Sequence, residues 1–176
     1  MGQKREFSTA RIARISMLSA LCVLGASIPF PSPAGTIGFD SMPGFFAAFS
    51  FGPLEGGAVC MIGHLATALV HGSPLGILHL PIALGMGVTG WTAGLVRRRF
   101  GLIPAVATAI MVNTLLFPLA MPVYGWGGAL SLAPFLLAAS VLNSITAALC
   151  SKAVDSAFKL TWKFSHKPLS TTRKNS

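Results

Sequence analysis

The sequence is poor in charge. Only 4 of its 176 residues are acidic and only 10% are charged, where a soluble domain carries about 25%. So little charged surface cannot cover a body in water. The 53% hydrophobic content equally excludes a disordered chain, which is short of apolar residues. The few acids are outnumbered by 13 Lys and Arg, for a net charge of +9. A nucleic-acid binder shows such an excess, but not on so apolar a body. Cys22, Cys60 and Cys150 are isolated, with neither an evident disulfide partner nor metal-ligand spacing, and suit small apolar side chains among packed helices. Also missing are an H-E-x-x-H zinc motif, a His pair at i, i+4, a G-x-S-x-G elbow and a G-x-x-x-x-G-K-[ST] phosphate loop. These absences argue against an enzyme, a metal centre, a bound cofactor or self-contained coupling to ATP. A polytopic membrane protein remains, with lipid and not nucleic acid around it.

The placement of the charges gives a topology. Lys4, Arg5, Arg11 and Arg14 open the chain, and Ile15 to Phe39 carry no charge before Asp40 stands alone. After Glu55 comes an uncharged stretch, 56–96, then the cluster Arg97, Arg98 and Arg99, a second uncharged stretch, 100–151, and a basic tail from Lys152. A hydrocarbon core about 30 Å thick takes roughly 20 helical residues. Each of the two long stretches therefore has room for two crossings. Turn-forming clusters mark their centres at His71-Gly72-Ser73-Pro74 and from Pro122 to Gly128. The expected spans are 11–28, a short 41–52, 54–71, 74–96, 102–121 and 129–151. Six spans with the N-terminus inside put every Lys and Arg on the cytoplasmic side, whereas five would send the basic tail outside. The expected fold class is thus an all-α integral membrane protein, a six-transmembrane-helix bundle with cytoplasmic N- and C-termini. It forms one domain over 1–152 with a basic cytoplasmic tail over 153–176. The first segment also has the basic and apolar regions of a signal peptide, with small residues near Gly25–Ser27; the five apolar segments after it favour a retained helix. Val154, Phe158 and Trp162, with Lys152, Lys159 and Lys163 on another side, suit an amphipathic extension along the inner headgroups or simply the end of span 6.

Polar side chains inside a bilayer are costly and usually face a cavity or a partner. His64, Thr67 and His71 share one face of span 3, His79 lies near the outer end of span 4, and Asn113 falls in the outer half of span 5. Asn143 falls nearer the middle of span 6, and Asp40, Tyr124 and Trp126 lie in outward connections. The candidate binding residues are therefore Asp40, His64, His79, Asn113, Tyr124, Trp126 and Asn143. Each also has a plainer reading. The asparagines could be interhelical glue, Asp40 a cap for span 2, His71 a solvated helix end, and Tyr124 and Trp126 part of an aromatic belt. Small residues form two stripes: Thr9, Ala13, Ser16 and Ala20 on span 1, and Gly87, Gly90 and Gly94 on span 4. The second suits packing within the chain, and the first could equally face another subunit.

The order Pro31-Ser32-Pro33-Ala34-Gly35-Thr36, Asp40-Ser41-Met42-Pro43-Gly44-Phe45, Phe51-Gly52-Pro53-Leu54-Glu55-Gly56, Gly63-His64-Leu65 and Pro74-Leu75-Gly76 with His79 resembles substrate-binding S components of energy-coupling-factor (ECF) vitamin transporters. The resemblance covers roughly residues 10–100. It implies a multi-pass subunit of a bacterial cell membrane that captures a vitamin or precursor from outside. Its partners would be a transmembrane coupling subunit and two ATPases. Family members commonly use an A-x-x-x-A face on the first helix for that contact; Ser16-x-x-x-Ala20, with Ala13, occupies the place here. The Asp40 and Gly63-His64 … His79 pattern looks most like the branch for α-ribazole, a benzimidazole nucleoside precursor of cobalamin. A self-sufficient secondary transporter of a small heteroaromatic solute is the alternative, although neither an internal repeat nor an ionisable midplane relay supports it.

Overall fold

A computed structural model describes residues 9–32, 35–73 and 75–165, with side chains described outside 29–37 and up to 157. Among the described residues, α1 spans Thr9–Ala26, α2 Met42–Ser50, α3 Pro53–His71, α4 His79–Phe100, α5 Leu102–Thr114 and α6 Met121–Ser165. Single 3-10 turns, Gly76–Leu78 and Phe117–Ala120, lead into α4 and α6. An antiparallel hairpin, β1 (Pro29–Ser32) and β2 (Gly35–Gly38), connects α1 to α2. Among the described residues, three helical stretches are long and apolar enough to cross a membrane: Thr9–Ala26, Pro53–His71 and the run 102–157. That last run is about 84 Å of helix if laid straight, far beyond a core about 30 Å thick, and it bends back on itself.

The short expected second span is the centre of the fold. α2 has 9 residues, of which Pro43, Gly44, Phe45, Ala47, Ala48 and Phe49 are buried. A helix apolar on all sides must be enclosed, and α1, α3, α4 and α6 pack around it. At about 14 Å it cannot span alone; its neighbours shield the ends of its backbone ladder. The largest contact joins α3 to α4. There Gly56 and Gly90 meet backbone to backbone, so a Cβ on Gly90 would stand 2.6 Å from the Gly56 carbonyl carbon. Gly94 sits equally tightly on Pro53. The glycine stripe of α4 is therefore a packing face inside the chain.

The second half departs from the expected spans. The fifth ends at Thr114 instead of 121, and the sixth helix begins at Met121 instead of 129. The turn expected between Pro122 and Gly128 falls earlier, because Pro118 lies in a 3-10 turn and Pro122 is tolerated in the first turn of α6. Within the expected turn only Gly125 breaks the helix, at φ 66° and ψ 176°, a conformation open to glycine. The fourth helix likewise starts at His79, later than 74, and ends at Phe100. α6 continues past residue 152 to Ser165, so the 152/153 boundary coincides with no helix end. Of the amphipathic pattern there, Val154 is exposed, and the side chains of Phe158, Lys159, Trp162 and Lys163 lie outside the described residues, as do Lys4 and Arg5.

Charge gathers at one end of the helices. Glu55, with a side chain only 3% exposed, receives Arg11 Nε at 2.9 Å and Arg14 Nη2 at 3.2 Å, which ties the start of α1 to the start of α3. The Arg14 guanidinium also lies 4.8 Å from the Phe51 ring centre. Arg97 Nε and Arg98 Nη2 donate to the carbonyls of Phe49 and Phe51 at the end of α2, where the helix dipole favours cations. Arg97 also pairs with Asp155 at 3.5 Å.

Candidate functional site

At the opposite end the hairpin, α3, α4, α5 and α6 enclose a cavity of about 210 Å³, room for roughly seven waters. Its walls are largely apolar, from Ile82, Met86, Leu116, Phe117, Leu132, Leu136 and Ala139. Its polar groups come from five segments. α3 presents His64, Thr67 and His71 along the face set by their 3- and 4-residue spacing; α4 presents His79 in its first turn. Asn113 comes from the last turn of α5 and Asn143 from α6. Asp40 and Ser41 arrive on the segment returning from the hairpin. That return is fixed to α1: Phe39 N–H donates to Gly25 O at 3.1 Å, and Gly38 lies so close on Ala26 that a Cβ would come within 2.8 Å of its Cα.

Of the seven candidate binding residues, six line this one cavity: Asp40, His64, His79, Asn113, Tyr124 and Asn143. Trp126 does not. It sits one residue past the Gly125 break, 59% exposed, with its ring 6.1 Å from Phe117. The break turns Tyr124 and Trp126 to different sides. Asp40 does not cap α2: the helix start has no side-chain cap, and Asp40 Oδ1 instead accepts from Ser41 Oγ at 3.2 Å. His71 is exposed at the mouth, within 3.2 Å of Ser27 Oγ. Ala13, Ser16 and Ala20 all lie exposed on the outer face of α1.

The polar groups are held from behind. His64 Nε2 and His79 Nδ1 are 3.1 Å apart, which joins α3 to α4 at the cavity wall. Asn113 Nδ2 donates to Ser140 Oγ at 2.7 Å, and Ser140 Oγ donates onward to Leu136 O. Asn143 Nδ2 donates to Gly38 O at 3.2 Å and Ala139 O at 2.8 Å, so α6 holds the end of β2. Three cavity residues keep a buried polar atom without a protein partner among the described residues: Thr67 Oγ1, His79 Nε2 and Asn143 Oδ1. Buried polar atoms are nearly always paired, so these three stand out against the cavity's apolar walls. Among the described residues, Asp40 is the one acid lining the cavity, and no Lys or Arg lines it. Loss of hydration pushes the Asp40 carboxyl up to about 6, against the Ser41 hydroxyl, which favours its charged form.

Sequence reasoning set Asn143 apart as deeper than the rest. In the structure it shares their cavity, because the end of β2 reaches it and Gly38 O accepts from its Nδ2. It missed Ser140, the buried support of Asn113. A signal was present: Ser140, Asn143, Ser144, Ala147 and Ser151 follow a helical period, and all are buried on α6. The apolar walls carried no such signal, since Leu and Ile face lipid and cavity alike.

Fold and cavity together define a membrane-embedded helical protein with a small-molecule cavity at one end and its charges massed at the other. Over residues 10–162 the chain matches the family described as "ECF transporter, substrate-specific component", and it belongs to that family. The family comprises transporter subunits and not enzymes. Among solved structures, the S component of a bacterial ECF transporter superposes with a TM-score of 0.65 at 24% identity, over 85% of this chain and 98% of that one, and so shares its fold. No curated protein matches the chain.

Proposed function

We propose that this chain captures a vitamin or vitamin precursor from outside the cell for an ECF importer. In this reading it crosses the membrane six times with both termini in the cytoplasm. The arginine end then lies at the inner leaflet, as the distribution of positive charge favours, and the cavity opens toward the other side. A transmembrane coupling subunit and two ATPases drive a reorientation that releases the substrate inward, and the exposed face of Ala13, Ser16 and Ala20 on α1 meets the coupling subunit. The observation that carries this reading is the cavity itself: apolar walls and, among the described residues, three unpartnered polar atoms and no Lys or Arg. That lining suits a neutral heteroaromatic molecule and opposes folate-like or phosphorylated anions, which would need a cation. α-Ribazole is the best-fitting substrate, with Tyr124 and Phe117 against the flat ring and Asp40 accepting from ribose hydroxyls.

The test is thermal-shift titration of the detergent-purified chain with α-ribazole, riboflavin, pantothenate, thiamine and queuine. A true ligand raises the melting temperature by mass action, by the equivalent of about 2.7 kcal/mol at a hundred times its Kd. α-Ribazole is expected to give the largest rise. Vesicles holding the chain alone are expected to bind substrate without accumulating it. Accumulation without ATPases would establish the alternative, a self-sufficient secondary transporter.

A further inference from the structure

We propose that recognition in this cavity turns on hydrogen-bond polarity: Asn143 Oδ1 takes an N–H or O–H donor from a neutral planar ligand, while the His64–His79 pair matches either polarity at another of its polar atoms. The inference rests on the reading of the cavity as a capture site.

The polarity of Asn143 is fixed by its surroundings. Its Nδ2 lies between two carbonyl oxygens, those of Gly38 and Ala139. Only an NH2 group can occupy that place, because a flipped amide would set three oxygens together. Oδ1 is therefore locked as an acceptor. The residue is 2% exposed, Oδ1 has no partner among the described residues, and the side chain lines the cavity. A ligand that brings no donor leaves this acceptor dry and unpaired, which lowers affinity about 5- to 150-fold.

The histidine pair behaves differently. Two neutral imidazoles 3.1 Å apart share one proton between their facing nitrogens. If His64 Nε2 carries it, His79 Nδ1 accepts and His79 Nε2 bears the other proton, so the cavity sees a donor. If His79 Nδ1 carries it, His79 Nε2 is an acceptor. His79 Nε2 is buried and unpartnered among the described residues, so the tautomer is free to follow the ligand. His64 acts through His79 and is a positioning residue. One position thus demands a donor and the other accepts either polarity. The cavity then selects ligands by the hydrogens they carry as well as by their outline.

Isosteric bicyclic probes separate these roles. Indole and benzofuran differ by N–H against O, as do benzimidazole and benzoxazole, while benzimidazole adds one ring nitrogen to indole. Affinities are measured calorimetrically on the full-length chain in detergent. Indole is expected to bind at least tenfold tighter than benzofuran, and benzimidazole than benzoxazole. Asn143→Leu is expected to shrink both ratios below about threefold. Because Asn143 also holds Gly38, a second variant protects the test: in His79→Phe the N–H preference persists, while any advantage of benzimidazole over indole disappears. Equal binding of N–H and O probes by the unaltered chain overturns the inference, even if the chain binds α-ribazole. So does an N–H preference that survives Asn143→Leu. If neither these probes nor any vitamin in the panel binds, the capture-site reading itself fails, and the inference with it.

Discussion

Replacing Gly90 by Ala probes the joint on which the cavity depends. A methyl there would press on Gly56 O and lie 2.6 Å from Gly56 C and 2.8 Å from Cys60 Sγ, where ordinary contact begins at 3.4 Å. Backbone atoms of α3 cannot swing aside as a side-chain tip can. The two helices must part by the best part of an ångström, and overpacking of this kind costs about 1–3 kcal/mol. Alanine returns about 0.5–1 kcal/mol through helix propensity, so the net loss runs up to about 2.5 kcal/mol, with a midpoint of about 1 kcal/mol. For a chain of this size the midpoint lowers the melting temperature by about 2–4 °C. Gly87→Ala on the same helix is the internal control. Its methyl would meet Met61 Cβ at 3.4 Å, an ordinary contact, so only the propensity gain remains and stability is unchanged or slightly raised. Thermal unfolding in detergent reads both variants. His64 and His79 face each other across this same α3–α4 joint, so ligand affinity should fall with Gly90→Ala and hold with Gly87→Ala. Equal melting temperatures for the two variants would refute the backbone-to-backbone contact and the packing argument built on it.

Two further outcomes are expected. Glu55→Gln removes the charge that holds Arg11 and Arg14; Arg14 is one-third exposed, so water screens part of the loss, and about 1–3 kcal/mol is the expected cost. Melting should drop while substrate affinity, set at the other end, changes less than about twofold; a tenfold loss would contradict the separation of the two ends. The pH dependence follows from Asp40, whose carboxyl is raised to about 6 and therefore ionised above that pH and neutral below it. A ligand that donates into the carboxylate should weaken as pH falls through about 6, and Asp40→Asn should flatten that slope. His64, His71 and His79 share the cavity, so the slope is read as the difference between the two proteins. Identical profiles for the two proteins would remove Asp40 from the site.

How much of this was legible in sequence varies by residue. The glycine stripe of α4, the half-length second helix and the grouping of Asp40, His64, His79 and Asn113 were all readable, because periodicity and the expense of polar groups in lipid constrain them locally. The start of α6 was not. Pro122, Gly125, Gly127 and Gly128 look like a turn, yet one glycine dihedral absorbs the break and lets the helix begin at Met121. Trp126 follows that break and stays outside the cavity, while Asn143 meets the cavity through the end of β2. Asp40 also looked as much like a cap as a lining residue, since a side chain preceding a helix has the same composition signal in either role.

Composition and charge placement, acting alone, settled the solvent this protein lives in and the split between a cationic end and a polar, uncharged end. Both follow from transfer energies that attach to each residue wherever it sits. Tertiary structure decided which polar atoms remain unpaired: Asn143 spends its NH2 on Gly38 and Ala139 and keeps its oxygen for the cavity, and His64 and His79, fifteen residues apart, meet nitrogen to nitrogen. Hydrogen-bond partnership is a property of pairs at fixed distance and angle, and only the packed helices supply those.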